Sequence, residues 1–210
     1  MISVRVATEA DLPGIVAVHR DAFDGFFMTR LGPRFLREYY RTVCEFASGI
    51  ALVATSAPDR CAGFAVGFVN PQAFYRQLRA RRLCLLMAAL PALFRSPSLW
   101  PRMRGNSRRV AAASREDFSH WTSELSSIGV IPAAQGQGIG RKLVAAFLEH
   151  SERMGARQVS LTTDALDNHT VNQFYQSLGF QIVDTIGAPG QRQMHSYLFR
   201  LDDHRRRAAA

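Results

Sequence analysis

Apolar and polar side chains recur along the first part of the chain with two periods, one typical of strands and one typical of helices. Residues 2–7 follow the strand period and predict a first strand. Residues 9–23 follow the helical period after Thr8, a residue type favoured at helix N-termini. Residues 33–43 predict a second helix that opens with a proline, and residues 25–28 predict an apolar turn between the two helices.

The following apolar segments predict a hairpin, in which strands at residues 50–55 and 61–69 flank a turn at residues 58–59. After a segment of different character, residues 70–118, the alternation of the two periods resumes. The elements predicted there are strands at residues 120–130, 159–163, 180–185 and 195–201 and helices at residues 139–154 and 170–178. Strands that alternate with helices in this way predict the α/β fold class.

The composition is that of a globular protein, because 47% of the 210 residues are hydrophobic and only 20% are charged. We expect a single domain over residues 1–201, followed by a frayed tail at residues 202–210. Cys44, Cys61 and Cys84 fit no metal-binding spacing, so we expect free thiols and no metal. With no secretory leader pattern at the N-terminus, we expect a cytoplasmic protein.

The formal net charge of +9 is concentrated in one segment. Between residues 70 and 115 the chain has ten arginines and no acidic residue. The remainder has sixteen basic and seventeen acidic residues, so it is close to neutral. Residues 83–94, within the basic segment, form an uncharged run that is too short to span a bilayer.

A glycine-rich motif follows the strand predicted at residues 120–130. Pro132 ends that strand, and Gly136, Gly138 and Gly140 precede the next helix. Glycines let backbone N–H groups turn toward a bulky anion, and the helix N-terminus adds the positive end of its dipole. Strand, loop and helix together therefore predict a site for a pyrophosphate.

Two common phosphate-binding motifs do not fit this loop. A P-loop has Ser or Thr after its lysine, whereas Lys142 is followed by Leu143. The dinucleotide-binding fingerprint requires its third glycine one position later than Gly140.

The spacing Gln135-x-x-Gly138-x-Gly140 instead resembles the acetyl-coenzyme A loop of the GNAT N-acetyltransferase superfamily. A second segment, with Asn168 followed by Phe174-Tyr175 and then Gly179-Phe180, resembles the second signature of the same superfamily. The two signatures occur in the expected order with a predicted strand between them. The resemblance extends from residue 123 to about residue 186, and residues 70–118 lie outside it.

This resemblance implies a mixed, centrally splayed β-sheet flanked by helices, with residues 70–118 as a helical insert between the third and fourth strands. It implies that an acetyl group moves from acetyl-coenzyme A to a primary amine by direct attack in a ternary complex. Main-chain and side-chain groups that would bind the cofactor belong to Ile128, Gly129, Val130, Gln135, Gly136, Gln137, Gly138, Ile139, Gly140, Arg141 and Asn168.

Two side chains are candidates for proton transfer. Alternation places Glu124 on the same strand face as Ser126 and Ile128, and a carboxylate in an apolar strand is costly unless it is paired or used. The resemblance implies that Glu124 is the general base, with a salt bridge to an arginine as the alternative. It implies that Tyr175 protonates the leaving thiolate, with a packing role as the alternative.

Two residues of the cofactor set also have plainer interpretations. Asn168 matches the family asparagine that binds the pantetheine arm, and it is also suited to cap the helix that follows it. Arg141 would add charge near the phosphates or simply be solvated on its helix.

The acceptor is expected to be a small-molecule amine. Phe26 and Phe27, in an aromatic-rich region, and His120, which precedes Glu124, are candidates to bind it, although His120 also fits a structural role. The basic insert favours an anionic acceptor such as an amino sugar derivative and disfavours a lysine-rich protein tail. No nucleic-acid-binding motif accompanies the positive charge, so no nucleic acid is expected.

The insert itself has two interpretations. In the first, which we favour, the apolar run is a lid packed over the acceptor cleft. In the second, it is an amphipathic helix that lies on an anionic membrane. A protein of a different class, a catalytically inactive acyl-coenzyme A-binding module attached to a membrane or partner through the insert, is the alternative to an enzyme. The presence of both Glu124 and Tyr175 favours an enzyme.

Overall fold

The computed structural model describes residues 2–57, 60–101, 120–187 and 192–202, and in this part of the chain seven strands form one sheet. The strands are β1 (Ser3–Val6), β2 (Gly49–Ala57), β3 (Arg60–Val69), β4 (Thr122–Val130), β5 (Gln158–Asp164), β6 (Gln181–Ile186) and β7 (Met194–Arg200). Their order in the sheet is β1-β2-β3-β4-β5-β7-β6. The β4–β5 pair is parallel and the other pairs are antiparallel, so the mixed sheet predicted from the sequence is confirmed.

Helices occupy the connections. They are α1 (Leu12–Ala22), α2 (Phe27–Arg30), α3 (Pro33–Cys44), α4 (Pro71–Ala80), α5 (Arg82–Arg95), α6 (Ile139–Arg153) and α7 (His169–Ser177). The short helix α2 lies where an apolar turn was predicted, because residues 27–30 continue from Phe26 into a single helical turn. None of the described helices is long and apolar enough to cross a membrane.

The sheet separates two apolar cores. On one face, Leu143, Val144 and Phe147 of α6 pack with alternate residues of β2, and Tyr175 of α7 joins this first core. On the other face, apolar residues of α1, α3 and α4 pack with the intervening residues of β2 and with Phe64 of β3. The period-two alternation along β2 therefore places consecutive residues in different cores.

Two helices of the insert, α4 and α5, lie between β3 and β4, as the helical-insert prediction requires. The apolar run of α5 is divided between two environments. Ala89 and Leu93 are buried against Leu31 and Leu99, whereas other apolar side chains of the helix are exposed. The predicted turn at residues 58–59, the end of the insert and residues 203–210 of the tail lie outside the described residues.

Candidate active site

The two parallel strands at the centre of the sheet separate toward their C-terminal ends. β4 and β5 share three residue pairs, the last of which joins Glu124 to Ser160, although both strands continue beyond it. Past Glu124, β4 pairs only with β3. The resulting cleft exposes main-chain donors and acceptors that an extended amide ligand can pair with. Residues 128–130, predicted to bind the pantetheine arm, lie on this unpaired edge.

The glycine-rich loop follows β4 at the open end of the cleft. The chain forms a short 3-10 turn at Pro132–Ala134 and then passes through Gly136 and Gly138, which have φ angles of 77° and 75°. Gly138 is the N-cap of α6, and the first turn of α6 contains no acidic residue. Gln135 donates its N–H to the Pro132 carbonyl at 3.2 Å, whereas the N–H groups of the exposed residues 136–138 and of the first turn of α6 are accessible to an anion. This donor set fits a pyrophosphate.

The third glycine of the motif has a different physical role. A Cβ atom on Gly140 would lie 3.3 Å from Cζ of Phe174, so the ring of α7 packs directly on the first turn of α6. Nearby, the exposed Arg141 donates a hydrogen bond of 3.2 Å from Nη2 to the Ser177 hydroxyl. These two contacts connect α7, which contains Phe174 of the second signature, to the glycine-rich loop.

Glu124 lies at the apex of the cleft, where β4 and β5 last pair. Its half-buried carboxylate accepts a hydrogen bond of 2.6 Å from the Tyr75 hydroxyl. Burial raises the pKa of Glu124 to about 7, although the hydrogen bond from Tyr75 lowers it. None of the ion pairs between described residues includes Glu124, so the alternative salt bridge is not seen there. A carboxyl group of this pKa can accept and release a proton near neutral pH.

Tyr75 reaches the cleft because α4 is attached to the start of β4. The Asn70 side chain caps α4 by accepting the N–H of Ala73 at 3.0 Å, and the Asn70 N–H donates to the Thr122 carbonyl at 2.9 Å. Tyr75 follows in the next turn. Sequence reasoning missed Tyr75 because the insert has no counterpart in the family signatures, and a single tyrosine among arginines gave no indication of its partner.

A β-bulge in β4 changes which residues share a face. The β3–β4 pairing shifts opposite Ser126, which has no partner in β3. The Ser126 and Tyr39 hydroxyls lie 2.6 Å apart, and the Tyr40 hydroxyl donates to Ser127 at 3.2 Å, so both serines point toward α3. Ile128 packs into the first core on the opposite face. The prediction of one continuous face along β4 is therefore wrong, because the face changes at the bulge.

A buried histidine extends this hydroxyl network. Nδ1 of His19 lies 2.6 Å from the Tyr40 hydroxyl, and the ring packs against Phe23 and Phe64. Burial lowers the pKa of His19 to about 4, so the ring is neutral at pH 7. Nε2 is buried and has no hydrogen-bond partner among the described residues. The network holds the bulge against α1 and α3, and it was not predicted because its members are distant in sequence.

Tyr175 lies in α7 with its ring in the first core. Only 6% of its surface is exposed, and the ring centroids of Phe180 and Tyr197 are 5.7 and 5.8 Å away. Burial raises the pKa of Tyr175, so the phenol keeps its proton at neutral pH. Both the proton-donor role and the packing role are compatible with this environment.

Asn168 lies on the β5 wall of the cleft. Its amide nitrogen donates to the Thr163 hydroxyl at 2.7 Å and to the Asp164 carbonyl at 3.1 Å. Asn168 is the N-cap residue of α7, as the capping interpretation predicts, but its side chain makes no capping hydrogen bond. Asn172, one turn later, donates to the same carbonyl at 3.1 Å and accepts a hydrogen bond of 3.0 Å from the Tyr197 hydroxyl. These bonds orient α7 on the end of β5.

The residues predicted to bind the acceptor do not lie together. Phe26 is exposed, and the Arg192 guanidinium lies 5.8 Å from the centre of its ring. Arg192 also forms a two-bond ion pair with Asp164, the last residue of β5. The loop between α1 and α2 therefore meets the segment before β7 at the open end of β5, with Phe26 in the contact.

The other two predicted acceptor residues lie elsewhere. Phe27 packs against the cluster of Leu31 and Leu93 at α5. His120 lies in an exposed turn before β4, with its ring centroid 4.1 Å from that of Trp121. The strand begins at Thr122 and not at residue 120, so the strand position predicted for His120 is wrong.

The described fold agrees with comparisons to known proteins. The model of the acetyltransferase (GNAT) family matches residues 16–180, and the chain belongs to this family. Two solved structures share the fold over nearly their whole length. A GNAT-family protein of Desulfovibrio desulfuricans is 17% identical, with a TM-score of 0.62 and coverage of 96% of this chain and 99% of its own. The yncA protein of Salmonella typhimurium, solved with acetyl-CoA, is 17% identical, with a TM-score of 0.60 and coverage of 97% and 95%.

Sequence relatives are similar over a shorter segment. The mycothiol acetyltransferases of Renibacterium salmoninarum and Saccharopolyspora erythraea are 36% and 40% identical to this chain, each over 73 residues. These alignments cover 29% and 31% of this chain. They cover only 21% and 24% of the relatives, so the chain spans less than a quarter of the length of the proteins it matches.

Proposed function

We propose that the protein is an N-acetyltransferase that moves the acetyl group of acetyl-CoA to a primary amine of a small acceptor. The observation that carries the proposal is the Glu124 carboxyl group, which has a pKa of about 7 and lies at the apex of the cleft. A family cofactor loop at the open end of the same cleft supports it. The inactive binding module is disfavoured, because a module of that kind has no need of a buried carboxyl group at this place.

In the proposed reaction the acceptor amine attacks the thioester carbonyl directly in a ternary complex. Glu124 accepts the proton that the amine loses as its nitrogen bonds to the acetyl carbon. The bond between that carbon and sulfur breaks, and Tyr175 donates its phenolic proton to the departing thiolate. Tyr175 is protonated at neutral pH, so it has the proton that this step requires.

The cofactor is assigned to the cleft and loop. The unpaired main chain of Ile128, Gly129 and Val130 and the side chain of Asn168 would bind the pantetheine arm. The pyrophosphate would bind the N–H groups of the loop residues and helix start, with Arg141 contributing charge. The cofactor-binding residues in this loop are Gln135, Gly136, Gln137, Gly138, Ile139 and Gly140.

The acceptor is proposed to be small and anionic, such as an amino sugar derivative. Support comes from the arginine-rich insert, whose first helix provides Tyr75 to Glu124. The relatives that match part of this chain are named mycothiol acetyltransferases, and this name is consistent with a small acceptor.

The test is turnover of acetyl-CoA against a panel of amino sugars, their phosphates, polyamines, amino acids and peptides. Glu124→Gln keeps the shape of the side chain and removes the base, so it should lower turnover at neutral pH by about 10²-fold. Its rate should recover as the pH approaches the pKa of the amine, and coenzyme A affinity measured by calorimetry should not change.

Two outcomes contradict the proposal. Coenzyme A binding without acetylation of any amine by the unsubstituted protein would favour the binding module. A Glu124→Gln variant with full rate at neutral pH would show that another group or water removes the proton.

A further inference from the structure

The outer face of α5 exposes large apolar side chains in one line. Leu83, Met87 and Phe94 are 68%, 66% and 77% exposed. Their spacing places them within about 40° of one another around the helix axis, and we call these three residues the outer stripe. The opposite face of the same helix buries Ala89 and Leu93. Single exposed apolar residues are common, but three large ones on the same side of one helix indicate a binding surface.

Positive charge borders the outer stripe. Arg82 begins α5 and Arg95 ends it, and both are exposed. Arg81 is already paired with Glu45 at 2.6 Å. Because residues 70–115 contain no acidic residue, the helix has no carboxylate to offset these charges. The partner of this face must therefore combine an apolar layer with negative charge, as an anionic lipid surface does.

The geometry of the helix fits a position along a bilayer surface. α5 has 14 residues, so it is about 21 Å long, shorter than the hydrocarbon core of about 30 Å. None of the described helices is suited to cross a membrane. A second copy of the chain is a less suitable partner for the outer stripe. If two outer stripes packed together antiparallel, Arg82 of each copy would lie near Arg95 of the other, and these like charges repel.

We infer that α5 binds anionic membrane surfaces, with the outer stripe inserted among the lipids and the flanking arginines at the headgroups. The inference does not rest on the assigned catalytic roles, because it uses a face of the insert that contains neither Glu124 nor Tyr175.

Co-sedimentation with vesicles tests the inference. The full chain should sediment with vesicles of phosphatidylcholine mixed with phosphatidylglycerol, and much less with phosphatidylcholine alone. Binding should weaken as salt is added, because the electrostatic attraction is screened. The double variant Met87→Ser and Phe94→Ser should bind the anionic vesicles at least about tenfold more weakly.

A matched control is available on β6. Val183 is 57% exposed, and Val183→Ser removes an exposed apolar side chain far from the insert in the sheet order. This variant should bind like the unsubstituted protein. Circular dichroism spectra should be the same for all variants, since every changed side chain is exposed.

Three results would overturn the inference. One is that the unsubstituted protein sediments with neither kind of vesicle, and another is that Val183→Ser loses as much binding as the double variant. Light scattering without lipid could instead show a dimer that the double variant dissociates, which would assign the outer stripe to a second copy of the chain.

Discussion

Among single side chains, the contact between Tyr75 and Glu124 most directly controls the proposed chemistry. A carboxyl group buried without a partner would have its pKa raised further, and the 2.6 Å hydrogen bond from Tyr75 partly offsets this effect by stabilising the ionised form. The insert, which the family signatures do not cover, therefore adjusts the acidity of a residue that they do cover.

Tyr75→Phe should consequently raise the pKa of Glu124. The acid limb of the pH profile of kcat/KM, which we expect near pH 7, should move to higher pH by about one unit, while the rate above that limb changes little. Tyr197→Phe removes a tyrosine hydrogen bond to Asn172 and is the control that should leave the limb in place. An unmoved limb in Tyr75→Phe would mean that the titrating group is not Glu124.

Tyr175→Phe separates the proton-donor role from the packing role. The ring contacts with Phe180 and Tyr197 are kept, so folding should be unaffected, and transfer should slow by about 10²-fold or less if the phenol protonates the thiolate. A thioester with a more acidic leaving thiol should then partly restore the rate. Equal losses with good and poor leaving groups would indicate packing alone.

Among the secondary-structure elements, the junction of β4, the glycine loop and α6 is the part most dependent on backbone conformation. Gly138 has a φ angle of 75° and no atom within 4 Å of the position of a Cβ, so it is required for its backbone conformation and for ligand approach, not for packing. Gly155, at the other end of α6, has a φ angle of 85° and equally open surroundings.

Gly138→Val and Gly155→Val should therefore destabilise the protein to a similar extent, by about 1–2 kcal/mol, because both force a β-branched residue into the left-handed region. Only Gly138→Val should also weaken coenzyme A binding, by several-fold or more, since its side chain would obstruct the N–H groups of the loop. Calorimetry on the folded variants measures this difference. Equal affinities in the two variants would exclude the loop as the pyrophosphate site.

The same elements show what could be predicted from the sequence. The apolar run of β2 and the helical spacing in α6 are local signals, and both elements were found close to their predicted bounds. The bulge at Ser126 depends on the pairing of β4 with β3, and a single strand carries no signal for such a shift.

Side-chain partners were less predictable than the elements that carry them. The network of His19, Tyr40 and Ser127 joins residues far apart in the chain, so no spacing rule identifies it. The contact of Tyr75 with Glu124 depends in the same way on how α4 is attached to β4. The sequence identified Asn168 as a candidate site residue and as a helix cap, but it gave no indication that the side chain bonds Thr163 and Asp164 of β5.

At the scale of the whole molecule, the uneven distribution of charge affects both the binding of the acceptor and the binding of surfaces. The net charge of +9 arises from the insert. Its first helix, α4, contacts Glu124 through Tyr75, and its second helix, α5, exposes large side chains on its outer face. A local field of this kind attracts small anions as well as anionic surfaces, and it weakens as salt is added.

Substitutions of exposed arginines can distinguish the local field of the insert from the net charge of the protein. Arg76 and Arg82 are exposed on the insert and form no salt bridge with a described residue, whereas Arg81 is engaged by Glu45. Replacing Arg76 and Arg82 with Gln should raise the KM of an anionic acceptor several-fold at low salt, and the difference should shrink as salt is added. Coenzyme A affinity should change little, since its proposed loop lies elsewhere.

Replacing Arg157 and Arg200 with Gln is the matched control, because it removes the same charge near the N-terminal end of β5, away from the open end of the cleft. That variant should keep the KM of the unsubstituted protein. If both double variants raise KM equally, the acceptor responds to net charge and not to the insert. If neither does, the acceptor is not anionic, and the arginines of the insert are left with the membrane surface as their proposed partner.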